Sequence, residues 1–237
     1  MDLSVIIPAY NEEGRIRKSI IRLNSYLAKH FKRYQIIVVN DGSSDRTQEI
    51  LHILENEINT LQAFHFKENH GKGFAVRKGV KAANGNLIVF TDADLSTPVQ
   101  EIGNFAKKIG NNQNMILIGS RNVPGAKIKI KQPCYRAAMG RIFNWSVRVL
   151  TKLPFRDTQC GFKMFPKKLG KEIFSKTKEN GFVFDIEVLL LAQKMNCQIL
   201  ETPICWVNNA KSKIRLFRDS IQMFRDLTRI SSMLKHE

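Results

Sequence analysis

The sequence has few cysteines and no long hydrophobic run. Its four cysteines, in 237 residues, show no C-x-x-C spacing, which argues against a zinc ribbon or a redox dithiol. No apolar stretch approaches the roughly 18 residues of a membrane span, and the first residues lack the pattern of a secretion signal. These absences predict a cytoplasmic protein with reduced thiols. The cysteines are Cys134, Cys160, Cys197 and Cys205.

Acidic residues are also scarce, since 21 Asp and Glu face 38 Lys and Arg and leave a net charge of +17. This balance predicts a partner with negative charge, and nucleic acid, anionic lipid and phosphorylated substrates all qualify. Nucleic acid is the weakest of these candidates, because no zinc spacing, RNP string or other recognised binding motif occurs. The length and the 43% hydrophobic content fit one sizeable domain.

Two common phosphate-binding loops are missing. The string "NHGKGFAVRKG" contains Gly71 and Gly73, but Val76 stands where a dinucleotide-binding loop has its third glycine, and no Walker motif occurs. The five histidines show no metal-ligand spacing with one another or with cysteine, so we interpret them as structural or exposed. Dinucleotide-dependent and P-loop enzymes are therefore disfavoured.

The first half alternates short β-branched runs with helical patterns. Strands that are apolar almost throughout are buried on both faces, so the pattern predicts a parallel sheet flanked by helices. Between them, "EEGRIRKSIIRLNSYLAKH" and "SSDRTQEILHILENE" repeat apolar residues at spacings of three and four, as crossover helices do. The predicted strands are "LSVIIPA", "YQIIVVN", "LQAFHF", "NLIVFTD" and "MILIGS".

The rhythm changes near residue 122, where a Pro/Gly/Lys stretch begins. We expect one domain over residues 1–211, with halves 1–121 and 122–211, followed by a basic amphipathic helix over 212–237. The second half is predicted to hold a helix from about Tyr135 to Leu150, the loop "PFRDTQCGFKMFP", the helix "FDIEVLLLAQKM", the strand "CQILETPICWV", and a last helix from about Ser212 to Leu234.

The last predicted helix has an apolar stripe flanked by arginines. Such a helix can lie in an anionic bilayer surface, but an apolar stripe usually packs on its own domain, so both interpretations stand. The segment "PCYRAAMGRIFNWSVRVLTKL" also mixes aromatic and basic residues and leaves the same two interpretations. The stripe comprises Phe217, Ile221, Phe224, Leu227, Ile230 and Leu234.

Two aspartates, Asp92 and Asp94, stand at the end of the apolar strand "NLIVFTD" with a single residue between them. Ligands of open α/β sheets bind beyond the carboxyl ends of the strands, where "PAYNEE", "NDGSSD", "TDADLS" and "GSR" also stand. Carboxylates at this spacing can point to one side and offer hard oxygen ligands to Mg²⁺ or Mn²⁺. The alternative is that the aspartates only form a turn or cap the next helix. Ser96 and Thr97 would suffice as caps, however, which leaves both aspartates available.

Together, "VIIPAYNEE", "VVNDGSSD", "NHGKGFAVRKG" and "FTDADLS" resemble family 2 glycosyltransferases, which are nucleotide-sugar enzymes of the GT-A fold. Further on, "GSR", "RDTQCGFKMF", "FDIEVLLLA" and "SKI" resemble the polyprenyl-phosphate branch, especially dolichyl-phosphate β-glucosyltransferases and their prokaryotic relatives. The resemblance implies an α/β, Rossmann-like nucleotide-binding sheet flanked by helices. It also implies that 1–121 is the nucleotide-sugar half and 122–211 the acceptor half.

The resemblance assigns donor-side roles to residues at the matching positions. Asp92 and Asp94 would hold the metal and meet the donor diphosphate, and Asp94 is a catalytic candidate. Lys72 and Lys213 are further donor-side candidates, with a solvated lysine as the alternative for Lys213. The residues expected to border the nucleoside are Pro8, Tyr10, Glu12 and Asp41.

On the acceptor side, Arg121 and Arg136 resemble the family's acceptor-phosphate arginines and are catalytic candidates. A guanidinium group suits this task because it forms bidentate, charged hydrogen bonds to phosphate. In "RDTQCGF", Asp157 is a further catalytic candidate and Gln159 an acceptor-binding candidate. Asp157 could instead pair with Arg156 or cap a turn.

The resemblance implies transfer of a sugar, in the first place glucose from UDP-glucose, to a dolichyl- or undecaprenyl-like phosphate with inversion. A phosphomonoester is largely dianionic near neutral pH and needs no protein base. GDP-mannose is the alternative donor, although Ser96 stands where mannosyl relatives often have a metal-binding glutamine. Expected partners are an anionic membrane surface at the cytoplasmic face and, as a further candidate, a membrane-embedded protein. Two competing hypotheses are a saccharide acceptor, which would require a carboxylate base, and a noncatalytic scaffold.

Overall fold

Strands and helices alternate along the chain in the computed structural model, which describes residues 2–130, 134–207 and 225–230, without the side chains of 134–138. The strands are β1 (Leu3–Ala9), β2 (Tyr34–Asp41), β3 (Leu61–Phe66), β4 (Leu87–Phe90), β5 (Met115–Ser120), β6 (Lys127–Ile130), β7 (Lys163–Pro166), β8 (Gln198–Pro203) and β9 (Cys205–Val207). The helices are α1 (Ile16–His30), α2 (Thr47–Glu57), α3 (Lys72–Ala82), α4 (Gln100–Ile109), α5 (Cys134–Thr151), α6 (Lys167–Lys176) and α7 (Phe184–Lys194).

The main sheet has seven strands in the order β3-β2-β1-β4-β7-β5-β8. The predicted parallel pairing is confirmed for β3, β2, β1 and β4, and β5 pairs in parallel with β8. Strand β7 runs antiparallel between β4 and β5, in a stretch that the sequence predicted to be loop. That prediction was wrong because a buried four-residue strand ending in proline shows no alternation of apolar and polar residues.

The predicted strand "CQILETPICWV" is two strands in two different sheets. β8 ends at Pro203, and β9 pairs with β6 in a separate two-stranded sheet. Ile204, between them, donates its backbone N–H to the Ser120 carbonyl and accepts from the Lys127 N–H. β6 escaped prediction because all four of its residues are exposed, so its sequence "KIKI" carries no burial signal.

Buried side chains form two cores, one on each face of the sheet. The stripe of α1, with Ile16, Ile20, Leu23 and Leu27, is fully buried in the first core, as its spacing predicted. α2 and α4 add to that core, while α3, α6 and α7 contribute to the second. Both halves of the chain thus supply strands and core residues to one sheet.

Part of the predicted C-terminal helix packs on the domain. Residues 225–230 are helical, and there the stripe residues Leu227 and Ile230 are buried in the second core. Arg229 Nη2 lies 2.6 Å from Glu179 Oε2. The remainder of 212–237 lies outside the described residues, so this outcome applies to 225–230 alone. Within the described chain, every helix is too short or too polar to cross a bilayer.

Candidate active site

The loops after β1 and β2 are locked together at the carboxyl edge of the sheet. Asn11 accepts a hydrogen bond from the Ser44 N–H at 2.7 Å, and its own N–H donates to Ser43 Oγ at 2.8 Å. The Glu12 N–H donates to Thr47 Oγ1 at 2.7 Å. These contacts fix the loop "PAYNEE" beside "NDGSSD" and leave Tyr10 44% exposed at the rim.

The aspartates Asp92 and Asp94 lie just beyond β4, where the chain turns sharply. The Leu95 N–H donates to the Asp92 carbonyl at 3.0 Å, and Leu95 itself has φ of 48°, a left-handed conformation that is unusual for leucine. Asp94 Oδ1 accepts from the Ser96 N–H at 2.9 Å, so the turn interpretation is correct for one oxygen. The side chains of Asp92 and Asp94 remain 42% and 18% exposed.

Two cations from neighbouring segments face this carboxylate pair. Lys72 Nζ lies 2.6 Å from Asp92 Oδ1, and Arg15 Nη1 lies 3.6 Å from Asp94 Oδ2. Burial lowers the pKa of Lys72, but the nearby carboxylates outweigh it and raise this pKa overall, so the ammonium persists. Arg15 is held by Glu12, and its buried Nη1 has no hydrogen-bond partner among the described residues. This atom is a donor directed toward the cleft.

The carboxylate pair suits a divalent cation. Burial, and then the charge of Asp92, raise the pKa of Asp94, and a bound cation would relieve both effects. Gly161 makes room for Asp92, because a Cβ at Gly161 would collide with the Asp92 carboxylate. Mg²⁺ and Mn²⁺ prefer hard oxygen ligands and are often bound through one or two carboxylates, so Asp92 and Asp94 would hold the ion.

Asp41 holds the glycine loop, residues 69–73, at this cleft. Its buried carboxylate accepts the Gly71 N–H at 2.7 Å and the His70 N–H at 3.0 Å. Gly71 has φ of 109°, so the loop needs glycine there. Asp41 therefore places Lys72 against Asp92, while its predicted contact with the nucleoside stays a prediction. Pro8, which carries the same prediction, lies half-buried in β1.

On the acceptor side, Arg121 and Asp157 form a bidentate ion pair. Arg121 Nε and Nη2 lie 2.7 and 2.8 Å from the two carboxylate oxygens, and the Arg121 backbone N–H also donates to Asp157. Asp157 is fully buried, and although burial opposes it, Arg121 lowers the pKa of Asp157 below its ordinary value. The alternative pairing of Asp157 with Arg156 is wrong. The Trp206 ring lies 5.5 Å from the Arg121 guanidinium and helps fix it.

Of the remaining candidates, the structure describes the side chain of Gln159 but not those of Arg136 and Lys213. Gln159 Nε2 donates to the Phe182 carbonyl at 3.3 Å. Arg136 belongs to α5, but its side chain lies outside the described residues, as does the whole of Lys213. Asp157 and Gly161 share one loop, so the ion pair with Arg121 and the cradle of Asp92 are joined by a short stretch of chain. Of the described candidates, Arg121 and Asp157 thus lie near Asp92, whose charge acts on Arg121.

Sequence reasoning missed a buried ion pair behind this cleft. Lys163 is fully buried, and its ammonium bonds to the Asp185 carboxylate and to the Cys160 carbonyl at 2.8 Å. Burial raises the pKa of Asp185 despite Lys163 and Lys72. The one sequence signal for this pair is Lys163 itself, a charged residue inside the apolar string "GFKMF". In the loop before Lys163, Cys160 has no disulfide partner among the described residues, and burial raises the pKa of its thiol to about 12.

His52 and His65, which we interpreted from the sequence as structural or exposed, meet Glu55 in space. The two rings lie 4.5 Å apart, and Asn40 Nδ2 donates to His65 Nδ1 at 3.2 Å. This hydrogen bond puts the His65 proton on Nε2, so that atom does not offer a lone pair to a metal. Burial, and then His52, lower the pKa of His65. The two histidine rings form an aromatic contact beside Glu55 that sequence spacing could not reveal.

Comparison of the sequence with known protein families identifies the family of this chain. The sequence profile of glycosyl transferase family 2 matches residues 4–174. The chain belongs to glycosyl transferase family 2. It is therefore a glycosyltransferase, and the predicted family is confirmed. Similar family 2 proteins include three named dolichyl-phosphate β-glucosyltransferase: from Dictyostelium discoideum (33% identity, 96% of this chain, 73% of the relative), Saccharomyces cerevisiae (34%, 95%, 72%) and Homo sapiens (32%, 95%, 73%).

Solved structures with the same overall architecture confirm the GT-A-like fold. Glucosyl-3-phosphoglycerate synthase from Mycobacterium tuberculosis, with Mn²⁺, UDP and glucosyl-3-phosphoglycerate, aligns with a TM-score of 0.72 at 18% identity, over 98% of this chain and 80% of that one. A second structure of that synthase, with Mg²⁺ and UDP, aligns with a TM-score of 0.71 at 18% identity, over 98% and 79%. At this identity the likeness shows the fold alone.

Proposed function

We propose that this glycosyltransferase transfers glucose from UDP-glucose to a polyprenyl phosphate of the dolichyl or undecaprenyl type, with inversion, at the cytoplasmic face of a membrane. The observation that carries the proposal is that the loop from Asp157 to Gly161 joins the Arg121 ion pair to the Asp92 cradle. A guanidinium group for an acceptor phosphate thereby lies beside carboxylates for a donor diphosphate. The names of the relatives at 32 to 34% identity support the same reaction.

The donor side supports a nucleoside diphosphate sugar. Asp92 and Asp94 would hold Mg²⁺ or Mn²⁺, which supplies electrostatic stabilisation to the departing diphosphate. Lys72 and Arg15 add positive charge beside the same carboxylates. The M. tuberculosis synthase binds UDP with either ion, which supports UDP as the donor nucleotide here.

The acceptor side supports a phosphate nucleophile. Arg121 has five N–H groups on its guanidinium and uses two of them on Asp157, so others can point to an acceptor phosphate. A phosphomonoester, with a second pKa of about 6, attacks the sugar carbon without giving up a proton. Arg121 aligns and screens this dianion, and the single displacement inverts the anomeric carbon.

A saccharide acceptor is the second candidate, and Asp157 does not suit it. A hydroxyl nucleophile requires a carboxylate base whose pKa approaches the working pH. The pKa of Asp157 is instead lowered by Arg121, and both of its oxygens accept hydrogen bonds from that arginine. Asp157 therefore serves Arg121 as a positioning residue.

Transfer assays with purified protein test the proposal. The protein is incubated with Mn²⁺ or Mg²⁺, a short polyprenyl phosphate, and either UDP-glucose or GDP-mannose, and the glycolipid is detected by mass spectrometry. We expect a glucosyl phospholipid from UDP-glucose, no product with the matching polyprenol, and no product from Asp94→Asn. A mannosyl product, or transfer to a free saccharide in place of the lipid phosphate, would contradict the proposed donor or acceptor.

A further inference from the structure

Helix α5 has a hydrophobic face that the described residues leave largely exposed. Ile142, Trp145 and Val149 are 60%, 63% and 57% exposed. At about 100° per residue, these three side chains fall within one narrow sector of the helix. Two other residues, Phe143 and Val147, are buried in the second core and anchor the opposite side. Packing in the core therefore explains Phe143 and Val147, but the exposed face of α5 (Ile142, Trp145 and Val149) needs another explanation.

Arginines border this exposed face. Arg141 and Arg148 lie on the adjacent sector of the helix, and α5 contains no acidic residue. Both line an open cavity of about 300 Å³ that is shared with Trp145, Arg156 and Asn122. Asn122 follows Arg121 directly and donates to the Arg156 carbonyl at 3.2 Å. The exposed face of α5 is thus continuous, through this basic cavity, with the acceptor side of the cleft.

Charge distinguishes between the surfaces that could cover this face. The segment 208–224 carries Lys211, Lys213, Arg215 and Arg218 against a single acid, Asp219, so its own charge matches that of the arginines. A second copy of the chain brings another net +17. An anionic bilayer supplies both an apolar interior for the side chains and phosphates for the arginines.

We propose that the exposed face of α5 docks on an anionic lipid bilayer, with Trp145 in the interfacial layer and Arg141, Arg148 and Arg156 on lipid phosphates. Tryptophan is favoured at that depth because its ring is apolar and its N–H is polar. In the part of the C-terminal helix that the structure describes, Leu227 and Ile230 are buried in the core, so these two residues are not available for docking. The inference rests on the proposed function in one respect: a lipid acceptor would have to reach the cleft from this surface.

Flotation of the full chain with phosphatidylcholine vesicles, with and without phosphatidylglycerol, tests the docking surface. Neither donor nor acceptor is added, so docking can fail while transfer in detergent succeeds, and the reverse. We expect binding that needs phosphatidylglycerol, falls about tenfold or more in Trp145→Ser, and falls about tenfold or more in the double variant Arg141→Gln, Arg148→Gln. Ile53→Ser is the matched control, because Ile53 is 43% exposed on α2 and should bind as the unaltered chain does.

Trp145 also reports its own depth. Brominated lipids should quench the fluorescence of the unaltered chain, and the quenching should disappear in Trp145→Phe, which keeps Trp206. Circular dichroism shows that each variant is folded. Equal vesicle binding by Trp145→Ser and the unaltered chain would overturn the proposal. So would a dimer that Trp145→Ser dissociates, because a second copy would then occupy the face.

Discussion

The donor and acceptor sides of the cleft are held in different ways. On the donor side, backbone N–H groups hold Asp41 and one oxygen of Asp94, and the one close ion pair, between Lys72 and Asp92, leaves Asp92 42% exposed. On the acceptor side, a charged side chain holds another: Arg121 pairs with Asp157. Behind the cleft, Lys163 pairs with Asp185 in the same way. Local backbone contacts follow from short motifs, whereas buried ion pairs depend on the whole fold. Substitutions on the donor side should therefore affect mainly metal binding and activity, and substitutions on the acceptor side mainly the stability of the fold.

The largest effect on activity is expected at Gly161, where the acceptor-side loop contacts Asp92. Gly161→Ala puts a Cβ on the Asp92 carboxylate, and displacement of that group by about 1 Å can cost about 100-fold in activity. We expect loss of Mn²⁺ binding, measured by calorimetry, and of sugar transfer. In Gly140→Ala, the matched control on α5, nothing lies within 4 Å of the new Cβ. Undiminished Mn²⁺ binding by Gly161→Ala would show that the sides are independent.

Asp157→Asn should damage stability first. It leaves Arg121 without its fully buried counterion, and breaking such a largely buried pair costs about 3 to 5 kcal/mol of unfolding free energy. Urea unfolding measures this. Asp2→Asn breaks the exposed pair with Arg33 and should cost less than about 1 kcal/mol. Similar losses in the two variants would mean that the acceptor side does not depend on its ion pair.

A smaller effect is expected for Lys72→Met on the donor side. Without the ammonium at 2.6 Å, Asp92 should bind Mn²⁺ about tenfold more tightly in the absence of nucleotide, while UDP binding weakens. Titration calorimetry gives both affinities. Lys81→Met, which removes an exposed lysine from the same helix, is the control. Weaker Mn²⁺ binding by Lys72→Met would show that the lysine helps build the metal site.

The smallest effect is a pH dependence of the Asp157 contribution. The folded pKa of Asp157 lies below its ordinary value of 3.8, so its stabilising effect is complete above that pH and is lost as the pH falls through the folded pKa. The stability gap between the unaltered chain and Asp157→Asn should therefore be constant above about pH 5 and shrink at about pH 3. A gap that stays constant at low pH would mean that Asp157 is not held ionised by Arg121.

The sequence predicted the donor side better than the acceptor side, for a physical reason. Apolar strand runs and the polar residues that end them lie together in the sequence, so β1, β2, β4 and the Asp92 pair could be recognised. The partners of the buried ion pairs are far apart: Asp157 accepts from Arg121, and Lys163 meets Asp185. β7 was also hidden, because its neighbours in the sheet, not its own pattern, make it a strand.

The loop that leads into β7 has a fixed length. Asp157 is tied to Arg121 at its start, the Phe162 carbonyl accepts the Gly119 N–H near its end, and Lys163 closes it on Asp185. An inserted or deleted residue would release at least one of these contacts. Length variation among homologous chains, and tolerance to engineered insertions, should therefore concentrate in exposed connections such as 110–114 and spare this loop.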